Sequence, residues 1–300
     1  MANPDLPSWR SLLFVPLTRE RFIEKAPDAG ADAIILDLED SVGPNDKEAA
    51  RRALADAAKR VAVKGADVVV RINRPWRMIV RDLEAAIIPG VAALTLPKVD
   101  SPEHVQAIAE MIDELESERG IAPGTVKLEA LIETASGFLR VGEIARAHPR
   151  LVALSAGSED LALSLGMLPE PEGLFYPKQQ CLIAARAAGI LPWGFVGTVA
   201  DYKDLDGYRA MIRRSRRLGF VGASCIHPSN VAILNEEFAP SAEETAHAER
   251  MVAAYDKALA EGKGSVEFEG KMIDIPVVER AKQLLARAAA IGARAAKRPG

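Results

Sequence analysis

Strand-like and helix-like runs alternate along this 300-residue chain eight times, and charged or polar residues recur where successive strand runs stop. No G-x-G-x-x-G follows the first strand run, which sets aside the open dinucleotide-binding sheet. Together these observations predict an α/β fold: a closed (β/α)8 barrel with a helical extension at its C-terminus.

The strand candidates, in order, are SLLFVP (11–16), AIILDLED (33–40), DVVVRIN (67–73), VAALTLPKV (91–99), VKLEALIET (126–134), LVALSAG (151–157), LPWGFVGT (191–198) and FVGASCIHP (220–228). Each is short and apolar, as a buried strand is. Amphipathic helices separate them, among them DKEAARRALADAAKR (46–60), SPEHVQAIAEMIDELESE (101–118) and YRAMIRRSRRLG (208–219). The barrel is expected over residues 8–238, as a (β/α)8 TIM barrel. A helix around 241–261, a hairpin-like GSVEFEGKMIDIP (264–276), the Gly-rich EGKGS and a final Ala-rich helix exceed what the barrel needs. They are expected to form an extension over residues 239–300, ending in the polar tail RAAKRPG.

Composition narrows the class of function. Hydrophobic residues make up 49% and charged residues 27%, with a net charge of -4, which argues against a general nucleic-acid binder. The run at the N-terminus is too short for a signal segment, and no stretch approaches a membrane span. Cys181 and Cys225 sit in apolar surroundings without a C-x-x-C partner, as reduced core thiols do. A cytoplasmic enzyme is expected.

In such a barrel the chemistry belongs at the C-terminal ends of the strands. Those ends carry Pro16, Glu39 with Asp40, Arg71 with Asn73, Lys98, Glu133, and Glu159 with Asp160. On the second strand, alternation puts Ile34, Leu36 and Leu38 toward the helices and Ile35, Asp37 and Glu39 into the mouth. Carboxylates converging on one mouth repel each other unless a cation joins them. With no Cys or His nearby, the ion expected is hard, Mg2+ or Mn2+. The four histidines lack metal spacing. His104 and His247 read as helix-surface residues, His148 as a turn residue, and His227 as a strand-end residue able to line the site. Asp160 reads equally well as a helix cap and Asp40 as a turn residue.

The segments RSLLFVP, DAIILDLEDSV, VVRIN, LPKV, LEALIETASG, SAGSEDLALSLG, CIHPSNV and FEGKMIDIPV stand in one order. In this the chain resembles the CitE-like branch of the HpcH/HpaI aldolase family, which holds citrate lyase β-subunits, malyl-CoA and β-methylmalyl-CoA lyases and citramalyl-CoA lyases. The resemblance runs from about Arg10 to the last helix. It implies a (β/α)8 barrel with Mg2+ held by Glu133 and Asp160, and Arg71 on the thioester or carboxylate oxygens. Asp37 and Glu39 would orient Arg71 and the metal's water. The nucleotide end of coenzyme A would lie against Arg10, Phe14, Pro16, Arg19, Arg21 and Lys25. Four cations within sixteen residues suit a pyrophosphate, although a solvated helix face has the same pattern. Asp274 matches an acid presented from a C-terminal lid over a neighbouring subunit's site, where the bare residues read as a turn before Pro276. Relatives often have a small residue where this chain has Leu17, which is expected to alter the thioester channel.

The resemblance implies cleavage of a 3-hydroxyacyl-CoA (citramalyl-CoA, malyl-CoA or β-methylmalyl-CoA) to a 2-oxo acid and acetyl-CoA or propionyl-CoA, by a homotrimer or hexamer. The alternatives are a malyl-CoA thioesterase, a citrate lyase β-subunit acting on an acyl-carrier-protein thioester, and a non-catalytic barrel.

Overall fold

The computed structural model describes residues 6–198 and 203–298. Residues 1–5, the start of the N-terminal run, and 299–300, the end of the polar tail, lie outside it, as do 199–202. The chain divides after Phe238 into two compact units.

The first unit is the barrel. Its elements are β1 (Ser11–Pro16), α1 (Glu20–Lys25), β2 (Ala33–Asp37), α2 (Lys47–Val61), β3 (Asp67–Arg71), α3 (Trp76–Ala86), β4 (Val91–Leu96), α4 (Pro102–Glu118), β5 (Lys127–Ile132), α5 (Ala135–Leu139), α6 (Val141–Ile144), β6 (Leu151–Ala156), α7 (Ser158–Leu165), α8 (Pro171–Ala188), β7 (Leu191–Pro192), α9 (Leu205–Leu218), β8 (Ala223–Cys225) and α10 (Ser229–Glu237). Every ladder is parallel, and the strands run in the order β7-β6-β5-β4-β3-β2-β1-β8. The ring closes through a bridge between Trp193 and Gly222, where Gly194 N donates to the Gly222 carbonyl at 2.8 Å. Gly222 is needed there: a Cβ would sit 3.2 Å from the Arg10 Cα and closer still to the Trp9 carbonyl.

Two apolar layers hold the barrel. Ile34, Leu36 and Leu38 of the β2 region pack outward with Leu54, Val61, Ile79 and Leu83 of the helices, all buried. Inside the ring, Leu12, Ala33, Ile35, Val69, Ala93, Ala153, Leu191 and Trp193 form a smaller plug beneath the mouth. Trp9 stacks on Trp193 at 5.4 Å to close its lower end. Alternation places Asp37 and Arg71 above this plug, facing inward.

The strands are shorter than their apolar runs. β3 stops at Arg71 and β8 spans three residues, because the final residues of each run turn away into loops. The second unit contains α11 (Ala242–Ala260), the hairpin β9 (Val266–Phe268) and β10 (Lys271–Ile273), and α12 (Ile275–Lys297). Ser241 and Glu244 form a reciprocal capping box that starts α11. Tyr255, Ile273 and Val278 form this unit's own small core. Among the described residues no helix is long and apolar enough to cross a membrane.

Candidate active site

A cavity of about 730 Å³ opens at the C-terminal ends of the strands, and Phe14, Arg71, Glu133, Asp160, Trp193 and His227 are among its walls. Arg71, the last residue of β3, lies above the inner plug. Asp37, beside it on β2, takes its Nε and Nη2 at 2.7 Å each. Glu39 Oε2 lies 2.9 Å from Nη1, and the Phe14 ring lies 4.7 Å from the guanidinium carbon. Burial would raise the Asp37 pKa, but the hydrogen bonds and charge of Arg71, helped by Ser41 and the Glu39 N–H, hold it below the usual range. Glu39 titrates above its usual range, because burial outweighs the attraction of Arg71 and Lys98. Lys47 ties the strand end by donating to the Leu38 and Glu39 carbonyls. The acids at the end of β2 thus partner two cations, and an uncompensated charge there would be costly.

Glu133 follows β5 and is 5% exposed. Burial, then the charges of Glu39 and Asp160, push its pKa up to about 7, and the Lys98 N–H and ammonium only partly offset this. Its Oε2 accepts from the Lys98 N–H at 2.8 Å. Its carboxylate packs on Gly157, where a Cβ would overlap it. Gly157 caps α7, so Asp160 stands in that helix's first turn. Asp160 is not the cap, and its side chain is one-third exposed.

Among the described residues no group of three or more His, Cys, Asp or Glu side chains is arranged to hold a metal. A hard divalent ion needs less. Mg2+ takes one or two carboxylates and completes its shell with water and substrate oxygens. Glu133 and Asp160 supply that donor set, and Gly157 leaves the room for Glu133. The residues fit Mg2+.

Two buried groups escaped the sequence reading. Glu129, on β5 four residues before Glu133, takes hydrogen bonds from Thr95 Oγ1 (2.7 Å) and Ser155 Oγ (3.1 Å) at the cavity wall. Burial raises its pKa to about 7 against those two hydroxyls and the Arg71 charge. Glu133 is marked by its place at the end of the fifth strand run, and alternation counted back from it reaches Glu129. Lys178, on α8, donates to Ser158 Oγ and to the Phe195 and Gly197 carbonyls at 2.6–2.7 Å, and burial pulls its pKa down to about 7. Nothing in a helix sequence marks such a lysine.

The structure corrects several expectations. Arg10 precedes β1 and so lies at the opposite end of the barrel, with Nε and Nη2 on Asp32 at 2.7 and 2.9 Å and Nη1 on the Asn235 carbonyl. It cannot reach a ligand at the mouth. Arg21, Lys25, Phe14 and Pro16 do line the cavity, whereas Arg19 is exposed and off its wall. Asn73 lies beyond the end of β3, so alternation no longer applies. Its side chain donates to Asp82 and the Leu38 carbonyl, away from the mouth. His104 is 3% exposed, covered edge-on by Trp76, and is not a surface residue. Leu17 packs in the outer core and is not among the residues of the cavity wall. His227 is on that wall, with Nδ1 2.7 Å from Ser229 Oγ. In the second unit, Asp274 precedes α12 and is exposed; its carbonyl receives the Val277 and Val278 N–H groups and its side chain caps nothing.

An arginine clamped by acids shares the mouth of a (β/α)8 barrel with Glu133 and Asp160, the end of such a barrel where enzymes carry their chemistry. The sequence signature of the HpcH/HpaI aldolase/citrate lyase family covers residues 10–228, and the chain belongs to this family of carbon–carbon lyases. It is 36% identical over 303 residues to the L-malyl-CoA/β-methylmalyl-CoA lyase of Rhodobacter capsulatus, covering 93% of this chain and 94% of the relative. It is 38% identical over 299 residues to a (3S)-malyl-CoA thioesterase of Cereibacter sphaeroides, covering 95% and 96%. Its fold matches a crystal structure of the protein CitE from Mycobacterium tuberculosis in complex with magnesium, acetoacetate and coenzyme A. The TM-score is 0.73 at 33% identity, over 93% of this chain and 97% of that one.

Proposed function

We propose that this chain cleaves a 3-hydroxyacyl-CoA thioester carrying a carboxylate on its carbinol carbon, giving a 2-oxo acid and acetyl-CoA or propionyl-CoA. The observation that carries this reading is the fixed Arg71 beside Glu133 and Asp160 in one cavity. Glu133 and Asp160 would hold Mg2+. The ion, when bound, supplies Lewis acidity to the oxygens of the 2-hydroxy acid end.

The chain's own residues carry the rest. In cleavage the carbinol hydroxyl gives its proton to solvent at the open mouth, its C–O bond becomes a carbonyl, and the adjacent C–C bond breaks. The electron pair passes to the thioester as an enolate. Arg71 stabilises that enolate oxygen. Its guanidinium is held on one side by Asp37 and Glu39, so it meets the developing charge without reorganising. Asp274, supplied from the C-terminal unit of a neighbouring subunit, would protonate the enolate carbon, or remove that proton in the condensing direction. Its uncommitted, exposed carboxylate suits the role. Arg21 and Lys25 at the cavity edge suit the phosphates of coenzyme A, and Phe14 and Pro16 its apolar arm.

A homotrimer or hexamer accords with the borrowed acid, and the two buried free thiols accord with a cytoplasmic setting. The thioesterase reading has one observation in its favour, the 38% identity to an enzyme of that name. In that case water attacks the thioester carbonyl at the same site. One assay separates these outcomes. Protein and Mg2+ are incubated with (S)-citramalyl-CoA and with L-malyl-CoA, and products are identified by mass spectrometry. Pyruvate or glyoxylate with acetyl-CoA establishes the lyase; free coenzyme A with intact hydroxy acid establishes the thioesterase. No product from either points to acyl-carrier-protein thioesters, the substrates of a citrate lyase β-subunit.

A further inference from the structure

Lys98 takes no part in the chemistry above, yet it touches both residues proposed to hold the metal. Its backbone N–H donates to Glu133 Oε2 at 2.8 Å, and its Nζ lies 3.5 Å from Asp160 Oδ1. The same Nζ donates to Glu39 Oε1 at 2.8 Å and lies 3.8 Å from Asp40. The residue has φ 49°, and among the described residues only Glu269 shares a positive φ without being glycine. That conformation costs about 1 kcal/mol for a side chain of this kind, so the surroundings must impose it. Here main chain and side chain of one residue address the same carboxylate cluster.

The charge count explains why. Asp37, Glu39, Asp40, Glu133 and Asp160 converge on the mouth, and Arg71 is committed to Asp37 and Glu39. Lys98 lies within reach of Asp160, with Nζ 3.5 Å from its Oδ1. An ammonium this close to Asp160 would compete directly with a divalent ion for that carboxylate. Glu39, already 2.8 Å from Nζ, offers it a place to remain.

We propose that Lys98 is the built-in counter-cation of the metal site. It neutralises the carboxylates when no metal is bound, and a divalent ion displaces its ammonium from Asp160 while the contact with Glu39 persists. The inference rests on the reading that Glu133 and Asp160 hold Mg2+. It makes Lys98 a positioning residue that also sets how tightly the metal is held.

The test measures Mg2+ binding by calorimetry and thermal stability with and without Mg2+, for wild type, Lys98→Met, Lys98→Arg and Lys25→Met. Lys98→Met should melt lower than wild type without metal, regain the loss in Mg2+, and bind Mg2+ about tenfold more tightly. Lys98→Arg, which keeps the charge, should bind Mg2+ like wild type. Lys25→Met, which removes a cation from the exposed edge of the cavity, should change the affinity less than Lys98→Met does. If Lys98→Met does not fold even with Mg2+, Lys98→Gln takes its place with the same expected signs. Equal destabilisation with and without metal, or unchanged or weaker Mg2+ binding in the uncharged variant, overturns the proposal. A wild type with no Mg2+ response overturns the metal reading itself, and this proposal with it.

Discussion

Glu129 shows how one buried side chain carries a pH dependence that can be read from its surroundings. Its ordinary pKa of 4.5 rises to about 7 in the fold. A carboxyl so raised is bound to its proton more tightly in the folded state, so its contribution is complete below pH 4.5 and is lost as pH rises toward 7. The loss amounts to at most about 3 kcal/mol. Glu129→Gln, neutral at every pH, should therefore be more stable than wild type at pH 8 and gain nothing at pH 4.5, as urea titrations at the two pH values would show. A second expectation concerns Arg71. Arg71→Lys keeps the charge but loses the two parallel bonds to Asp37, and kcat/KM should fall by about a hundredfold with the melting temperature little changed. Much of this was legible. Alternation on β2 sorted Ile34, Leu36 and Leu38 outward, and Ile35, Asp37 and Glu39 inward, as the structure has them. Arg10 departs from what the resemblance implies, and nearness in sequence to Arg21 and Lys25 does not bring it to them. A residue before a strand and one after it stand at opposite ends of the barrel, and Arg10 and Arg21 do so.

Among the elements, the loops after β4, β5 and β6 place Glu133 and Asp160, the pair proposed to hold Mg2+. Lys98 bends left-handed after β4, Glu133 follows β5, and Gly157 leads into α7. The Glu133 carboxylate occupies the space that any side chain at 157 would need. Gly157→Ala should weaken Mg2+ binding and lower kcat/KM by roughly tenfold or more, since a displacement of about 1 Å in a site is costly, while the barrel still folds. Retained Mg2+ affinity in that variant would show that Glu133 is free to sit elsewhere. Apolar runs announced all eight strands, yet they overstated their lengths: β7 spans two residues where eight were expected. A parallel strand lasts only while both neighbours supply backbone partners, and the residues beyond bend into the mouth. Lys178 shows the converse limit, because a helix residue reaches the cavity wall only through the packing of α8 on the barrel.

For the whole molecule, the account needs two things from one chain: a barrel that holds the substrate and a C-terminal unit that presents an acid. The division after Phe238 separates them. Asp274→Ala should leave CoA-ester binding within about twofold and abolish turnover, because the role proposed for the residue is only at the enolate carbon. Mixing that variant with an Arg71→Ala variant should restore part of the activity if the acid comes from a neighbouring subunit, and none if each barrel uses its own. Glu133→Ala and Asp160→Ala address the central claim, that two carboxylates and Arg71 make a Mg2+-dependent carbon–carbon lyase. The most direct measurement is the Mg2+-dependent formation of a 2-oxo acid and acetyl-CoA from L-malyl-CoA or (S)-citramalyl-CoA, in wild type and these two variants. The account predicts both products in equal amounts from wild type, and none from folded Glu133→Ala or Asp160→Ala at any Mg2+ concentration. Undiminished cleavage in either variant, or wild-type cleavage that persists after chelation of Mg2+, would contradict it.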